Sequence, residues 1–199
     1  MLDMQDAMNR RVHPEWRRQN YAWYRALWVE CAELMDHHGY KWWKAQTPDW
    51  AQVQMEVVDI WHFGLSDLLL QEADSDALAA RLASEAGAHA PAPLSLLEAT
   101  EALAARTLAE RRFSFPDFLS LMHAADLSLE SLYTRYVGKN VLNFFRQDKG
   151  YKEGSYRKDW HGREDNEHLQ DLLDELDAGS ASFPEDLYAA LDARYASVA

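Results

Sequence analysis

Glu30 and Glu33 stand three residues apart, and so do Glu56 and Asp59. On a helix, that spacing puts both acids of a pair on one face, about 4.5 Å apart along the axis. Two such helices laid antiparallel would gather four carboxylates. Four cannot all stay ionised together without a cation to offset their repulsion. Oxygen-only ligands select hard ions, which points to Mg²⁺, with Mn²⁺ as a substitute. E-x-x-E and E-x-x-D also occur on solvated helix faces, so the neighbourhood decides. Tyr24, Leu27, Trp28, Cys31 and Leu34 form an apolar stripe at helical spacing, with Glu30 and Glu33 beside it. Val53, Val57, Ile60, Trp61, Gly64 and Leu68 form a second stripe, edged by Glu56, Asp59 and Phe63. Acids on the margin of a buried face are costly unless something pairs with them.

A second constellation lies later in the chain. Lys139, Asn143 and Arg146 share one helical face and offer an ammonium, an amide and a guanidinium to an anion. Behind them, Gly150 to Gly162 is rich in glycine and tyrosine and carries Lys152 and Lys158. Its backbone N–H groups can approach phosphate oxygens. Arg135, Lys149, Arg157 and Arg163 add to this basic stretch within a chain of net charge −13. An acidic cluster beside a basic loop is the pairing a Mg²⁺–polyphosphate substrate requires. The alternative is a basic patch that pairs with acidic surface elsewhere.

These blocks resemble the dimeric dUTPases of the all-α NTP pyrophosphatase superfamily. The resemblance runs from Met1-Leu2-Asp3-Met4-Gln5-Asp6 through Asn9, the Trp16 region, Glu30-x-x-Glu33-Leu34 and Tyr40-Lys41-Trp42-Trp43-Lys44. It continues through Glu56-Val57-Val58-Asp59-Ile60-Trp61-His62-Phe63, the block Gly138 to Arg146, and Glu164-Asp165-Asn166. The paired acids are common to the superfamily; the third block is particular to the dUTPase branch.

The resemblance implies a set of roles. Glu30, Glu33, Glu56 and Asp59 would hold Mg²⁺, with Glu33 also orienting or deprotonating the attacking water. Gln5, Asn9, Trp43, His62 and Phe63 would form the uracil and deoxyribose pocket. Lys139, Asn143, Arg146, Tyr151, Lys152 and Lys158 would hold the phosphates, and Asp165 and Asn166 would order the closing loop or complete the site. It also implies a homodimer that hydrolyses dUTP, with dUDP as a further candidate substrate, to dUMP and pyrophosphate by attack at the β-phosphorus. From the residues alone, His62 on an apolar face also reads as a hydrogen-bonded core histidine. Trp43 also reads as packing, and Gln5 and Asn9 as N-terminal surface.

Three rivals compete with that reading. A related pyrophosphatase acting on dCTP or a modified nucleotide would carry the same carboxylates. A di-iron carboxylate protein needs Glu-x-x-His on two helices, and the chain has none, Asp59-x-x-His62 being a partial copy. A non-catalytic helical module would leave the acids and lysines without a shared purpose.

Composition bounds the rest. The 199 residues are 48% hydrophobic, enough for one sizeable core. The net negative charge argues against a nucleic-acid partner. No long uncharged apolar run is present, so neither a membrane span nor a signal peptide is expected. The lone Cys31 reads as a small buried hydrophobe, and a chain with one cysteine fits a reducing, cytoplasmic setting.

The elements that must position these residues read as all-α, a single domain over 1–199. Helices are expected at 3–10, about 15–38 ending near Gly39, and 47–71 with Thr47-Pro48 at its start. Further helices are expected at 75–86, 95–112 with a Ser95/Glu98 capping box, 115–127 and 128–147. Two more are expected, at 164–177 and after a Ser182/Glu185 box. His37 and His38 suit the C-terminal end of the second helix, where the dipole favours imidazole. No segment shows strand alternation. The Ala- and Leu-rich stretch 72–127 reads as an inserted helical subdomain and a candidate mobile part.

Overall fold

The computed structural model describes residues 1–197. Among them, the chain forms α1 (Leu2–Val12), α2 (Trp23–His38), α3 (Trp50–Gln71), α4 (Ser75–Ala88), α5 (Leu96–Glu110), α6 (Phe115–Ala124), α7 (Leu129–Asp148), α8 (Asp165–Glu175) and α9 (Phe183–Ala196). The fold is all-α. A two-residue antiparallel ladder, β1 (Asp159–Trp160) on β2 (Arg163–Glu164), lies between α7 and α8, where the sequence shows no strand alternation. No described helix is long and apolar enough to cross a membrane.

α3 is the centre. Its stripe of Val53, Val57, Ile60, Trp61, Gly64 and Leu68 is buried, as its spacing demands. α2 lies along it, while α1, α4, α6 and α7 close the other sides. α5 packs over α2 and α6, and α8 and α9 sit against α7. Helices 72–127 therefore feed the common core through Leu78, Leu103, Phe118 and Leu121, all fully buried. Trp61 stacks on Phe118 with centroids 4.9 Å apart.

Caps fix the ends. Asp49 accepts the Gln52 N–H at 3.1 Å and starts α3, so Thr47 and Pro48 lie ahead of the helix and not in its first turn. Ser95 and Glu98 make the expected capping box. Ser182 and Glu185 do not: the Ser182 hydroxyl donates instead to Asp186 at 2.7 Å. Gly39, at φ +90°, closes α2 as expected, its N–H on the Met35 carbonyl.

The expected helix from 15 to 38 starts only at Trp23. Before it comes a 3-10 turn, Trp16–Arg18, and Asn20 at φ +53°. The reason is tertiary. Trp16 is buried and donates its indole N–H to Asp6 at 3.0 Å, and Arg17 pairs with the same carboxylate at 2.9 Å. A straight helix could not turn this segment back onto α1. Trp28, placed on the buried stripe by its spacing, is 39% exposed. Cys31 is buried, and burial pushes its thiol up to about 12, so it is an inert core residue.

Candidate active site

α2 and α3 lie side by side, and their acids face each other. Glu30, Glu33 and Glu56 bring three carboxylate oxygens within 4.8 Å of one another. Glu56 is buried, and its Oε2 has no hydrogen-bond partner. His37, one turn beyond Glu33, places Nε2 3.5 Å from Glu56 Oε1. Burial, reinforced by the Asp59 charge, raises the pKa of both Glu30 and Glu56. Both shifts favour the protonated acid and work against an uncompensated cluster of charges here. An all-oxygen donor set, a close trio and an orphaned buried carboxylate oxygen fit a hard divalent ion.

Asp59 is engaged differently. Its Oδ2 accepts from Lys139 Nζ at 2.7 Å, and the same ammonium donates to Asn166 Oδ1 at 2.8 Å. Arg146 grips Asp165 with two parallel bonds of 2.8 Å, and Tyr156 adds its hydroxyl at 2.7 Å. Burial acts to raise the Asp165 pKa, but Arg146 holds it below the usual carboxylate range. Burial likewise works against the Arg146 charge and is outweighed by Asp165, so the guanidinium stays charged. Arg146 also reaches Asn143 Oδ1 at 3.3 Å.

Two cavities meet at these residues. The acidic one, about 570 Å³, is lined by Glu30, Glu33, Glu56 and Asp59 with Lys139, Arg146, Tyr151, Lys158 and Asn166. The second, about 400 Å³, is mostly apolar and is lined by Gln5, Asn9, His62, Phe63 and Asn143. Glu30, Asp59, Lys139, Arg146 and Tyr151 line both.

The floor of the apolar cavity is a closed polar network. Gln5 Nε2 donates to Asn9 Oδ1 and to Ser66 Oγ, each at 3.1 Å. That fixes Gln5 Oε1 as an acceptor, taking Tyr136 O–H at 3.1 Å and His62 Nδ1–H at 2.7 Å. The His62 ring stacks on Tyr136 with centroids 4.3 Å apart. Complete burial drives its pKa down to about 3, so it is neutral. A neutral ring that donates from Nδ1 leaves Nε2 as an acceptor, and that atom has no partner. Phe63 faces Trp23 across 6.1 Å.

Most residues anticipated from sequence converge here; two do not. Trp43 is 60% exposed, edge-on to Trp42, and lines neither cavity. Lys152 also lines neither and donates to the Val12 carbonyl at 3.1 Å. Lys158 reaches the acidic cavity while paired with Glu164 at 2.8 Å. Sequence reasoning missed Ser66, Trp23, Trp16, Tyr136 and His37. Ser66 was detectable as a polar residue one turn after His62 in an apolar run, and His37 as one turn after Glu33. Trp16 was marked only by the resemblance, and Trp23 gave no local sign.

The arrangement can hold a cation among carboxylates, an anion against buried Lys139 and partly buried Arg146, and a flat polar ring in an apolar slot. The model of a family described as dUTPase matches residues 1–151 of the chain. No curated protein matches it.

Proposed function

This chain belongs to the dUTPase family and is a dUTP diphosphatase, and on that premise we propose how its residues divide the work. Glu30, Glu33, Glu56 and Asp59 hold Mg²⁺, with Mn²⁺ as substitute. The observation that carries this reading is the trio of carboxylate oxygens within 4.8 Å opening onto a cavity shared with Lys139 and Arg146. The bound ion supplies neutralisation of the polyphosphate and lowers the pKa of a nearby water. Glu33, the exposed member of the trio, orients that water and takes its proton as it attacks the β-phosphorus. Products are dUMP and pyrophosphate.

Lys139, Asn143, Arg146, Tyr151 and Lys158 face the phosphates, where charge spreads during transfer. Lys152 and Trp43 join only if their segments shift toward the cavity, and Asp165 and Asn166 order Arg146 and Lys139. The nucleoside sits over Gln5, Asn9, His62 and Phe63. His62 Nε2 is unpartnered but has no exposed surface, so it would accept from a donor such as N3–H of uracil only where nucleotide binding uncovers it. Cytosine presents an acceptor there, so the same atom disfavours dCTP.

The protein works as a cytoplasmic homodimer in which residues 1–199 act as one catalytic domain and 72–127 is its mobile helical insertion. Pyrophosphate release from each dNTP, and from dUDP as a phosphate-release control, with and without Mg²⁺ tests the reading. Turnover confined to dUTP or dUDP and to added divalent ion is expected. Equal rates on dCTP would shift the assignment to a broader pyrophosphatase.

A further inference from the structure

The four carboxylates are not equivalent. Glu30, Glu33 and Glu56 converge, and their trio has no lysine or arginine in hydrogen-bond contact among the bonds described. Asp59, one turn along α3 from Glu56, already has a cation at 2.7 Å. That cation is Lys139, only 3% exposed, so its charge is carried inside the protein. It is anchored a second time on Asn166 at 2.8 Å, the second residue of α8. A buried ammonium keeps its charge only while an anion or dipole faces it. A carboxylate that serves an ammonium and a divalent ion together sets two like charges against each other.

We propose that Lys139 gates Asp59: in the nucleotide-free protein it serves as the internal cation at this carboxylate, so the glutamate trio takes a divalent ion alone, and a second ion position, dependent on Asp59, opens only when a substrate phosphate takes over the ammonium. Lys139 is placed for the exchange because it lines both cavities. Its alternative anion would be a polyphosphate in the acidic cavity, which Lys139 itself lines. Binding of nucleotide and of the second ion therefore become one event. This rests on reading the carboxylates as divalent-cation ligands.

The test is Mn²⁺ titration of the whole protein, followed by loss of the free-ion electron paramagnetic resonance signal. It is run without nucleotide and with α,β-imido-dUTP, and a nucleotide-only control is subtracted. Wild type is expected to bind one Mn²⁺ per chain alone and a further ion with the analogue. Asp59→Asn should keep the first ion and lose the second. Lys139→Met should bind the second without nucleotide. Wild type taking more than one ion without nucleotide overturns the gate, and needs no variant to fold. A folded Lys139→Met, checked by circular dichroism, that gains no ion overturns it too. Wild type binding no Mn²⁺ in either condition removes the divalent-ion reading, and the gate with it.

Discussion

Neutral His62 makes the stability of this protein depend on pH in a way that can be isolated. An ordinary histidine titrates near 6.5; His62, fully buried, titrates at about 3 in the folded chain. Between those values the unfolded chain binds a proton that the native state refuses. The unfolded state then holds more protons, so stability falls as pH drops below about 6.5, by about 1.4 kcal/mol per pH unit. Glu30 and Glu56 act with the opposite sign. Their folded pKa is raised, so the stability they contribute is present below the ordinary carboxylate range and is lost as pH rises. Comparison with His62→Gln cancels those contributions, because both proteins carry the same glutamates.

The assay is urea denaturation of both proteins at pH 7.5 and pH 5.5, with chelator present and nucleotide absent. The advantage of wild type over His62→Gln should shrink by about 1.4 kcal/mol across that interval. With a urea m value of about 2 kcal/mol/M, the midpoint gap closes by about 0.7 M. A gap that stays constant would mean that His62 titrates normally in the folded state. His62 would then gain a proton at Nε2 below about pH 6.5, and the proposed discrimination against cytosine would hold only above that pH.

Other outcomes follow from the same geometry. Glu30→Gln or Asp59→Asn should abolish divalent-ion-dependent turnover while far-UV circular dichroism stays helical; near-normal rates at low Mg²⁺ would remove that residue from the ligand set. Hydrolysis in ¹⁸O-water should label pyrophosphate and leave dUMP unlabelled, since label in dUMP means attack at the α-phosphorus. Gly64→Ala would set a Cβ 2.7 Å from the Phe113 ring, and overpacking of this kind costs about 1–3 kcal/mol in thermal or urea unfolding. Gly138→Ala would crowd only the tip of Leu173, at 2.6 Å, which can rotate away, with Leu169 in ordinary contact at 3.5 Å, so it should cost clearly less.

The helices were legible where spacing and burial agree. α3 could be read from Val53, Val57, Ile60, Trp61, Gly64 and Leu68, because a helix enclosed by neighbours must present apolar groups at 3.6-residue intervals. α2 was over-extended, because Glu15, Arg17, Arg18 and Gln19 are good helix formers and the docking of Trp16 on Asp6 is a tertiary event. Pro48 resembled a helix start, but Asp49 holds the better cap; Ser182 does stand at the start of α9, though its hydroxyl turns to Asp186 and no box with Glu185 forms. The acidic quartet was visible as a motif. Its internal division was not, because the Lys139–Asp59 pair joins residues eighty positions apart. The bonds that join Gln5 and Asn9 to His62 and Ser66 escaped for the same reason, since they link residues 57 to 61 positions apart.

Glu56, Asp59, His62, Phe63 and Ser66 all lie on α3, which makes that helix a ruler. From Glu56 to Ser66 it advances about 15 Å, comparable to a nucleoside with its phosphate tail extended. Away from the cavities this helix is held by buried core residues, which resist its sliding or bending to suit a shorter molecule. On the proposed assignment, a substrate that spans it would satisfy both ends at once, whereas a monophosphate would fill the nucleoside end and leave the acidic end unserved. The same rigidity fixes what mutation can do. One residue inserted between Glu56 and Ser66 would turn one end by about 100° relative to the other, and no substitution at either end could restore the alignment.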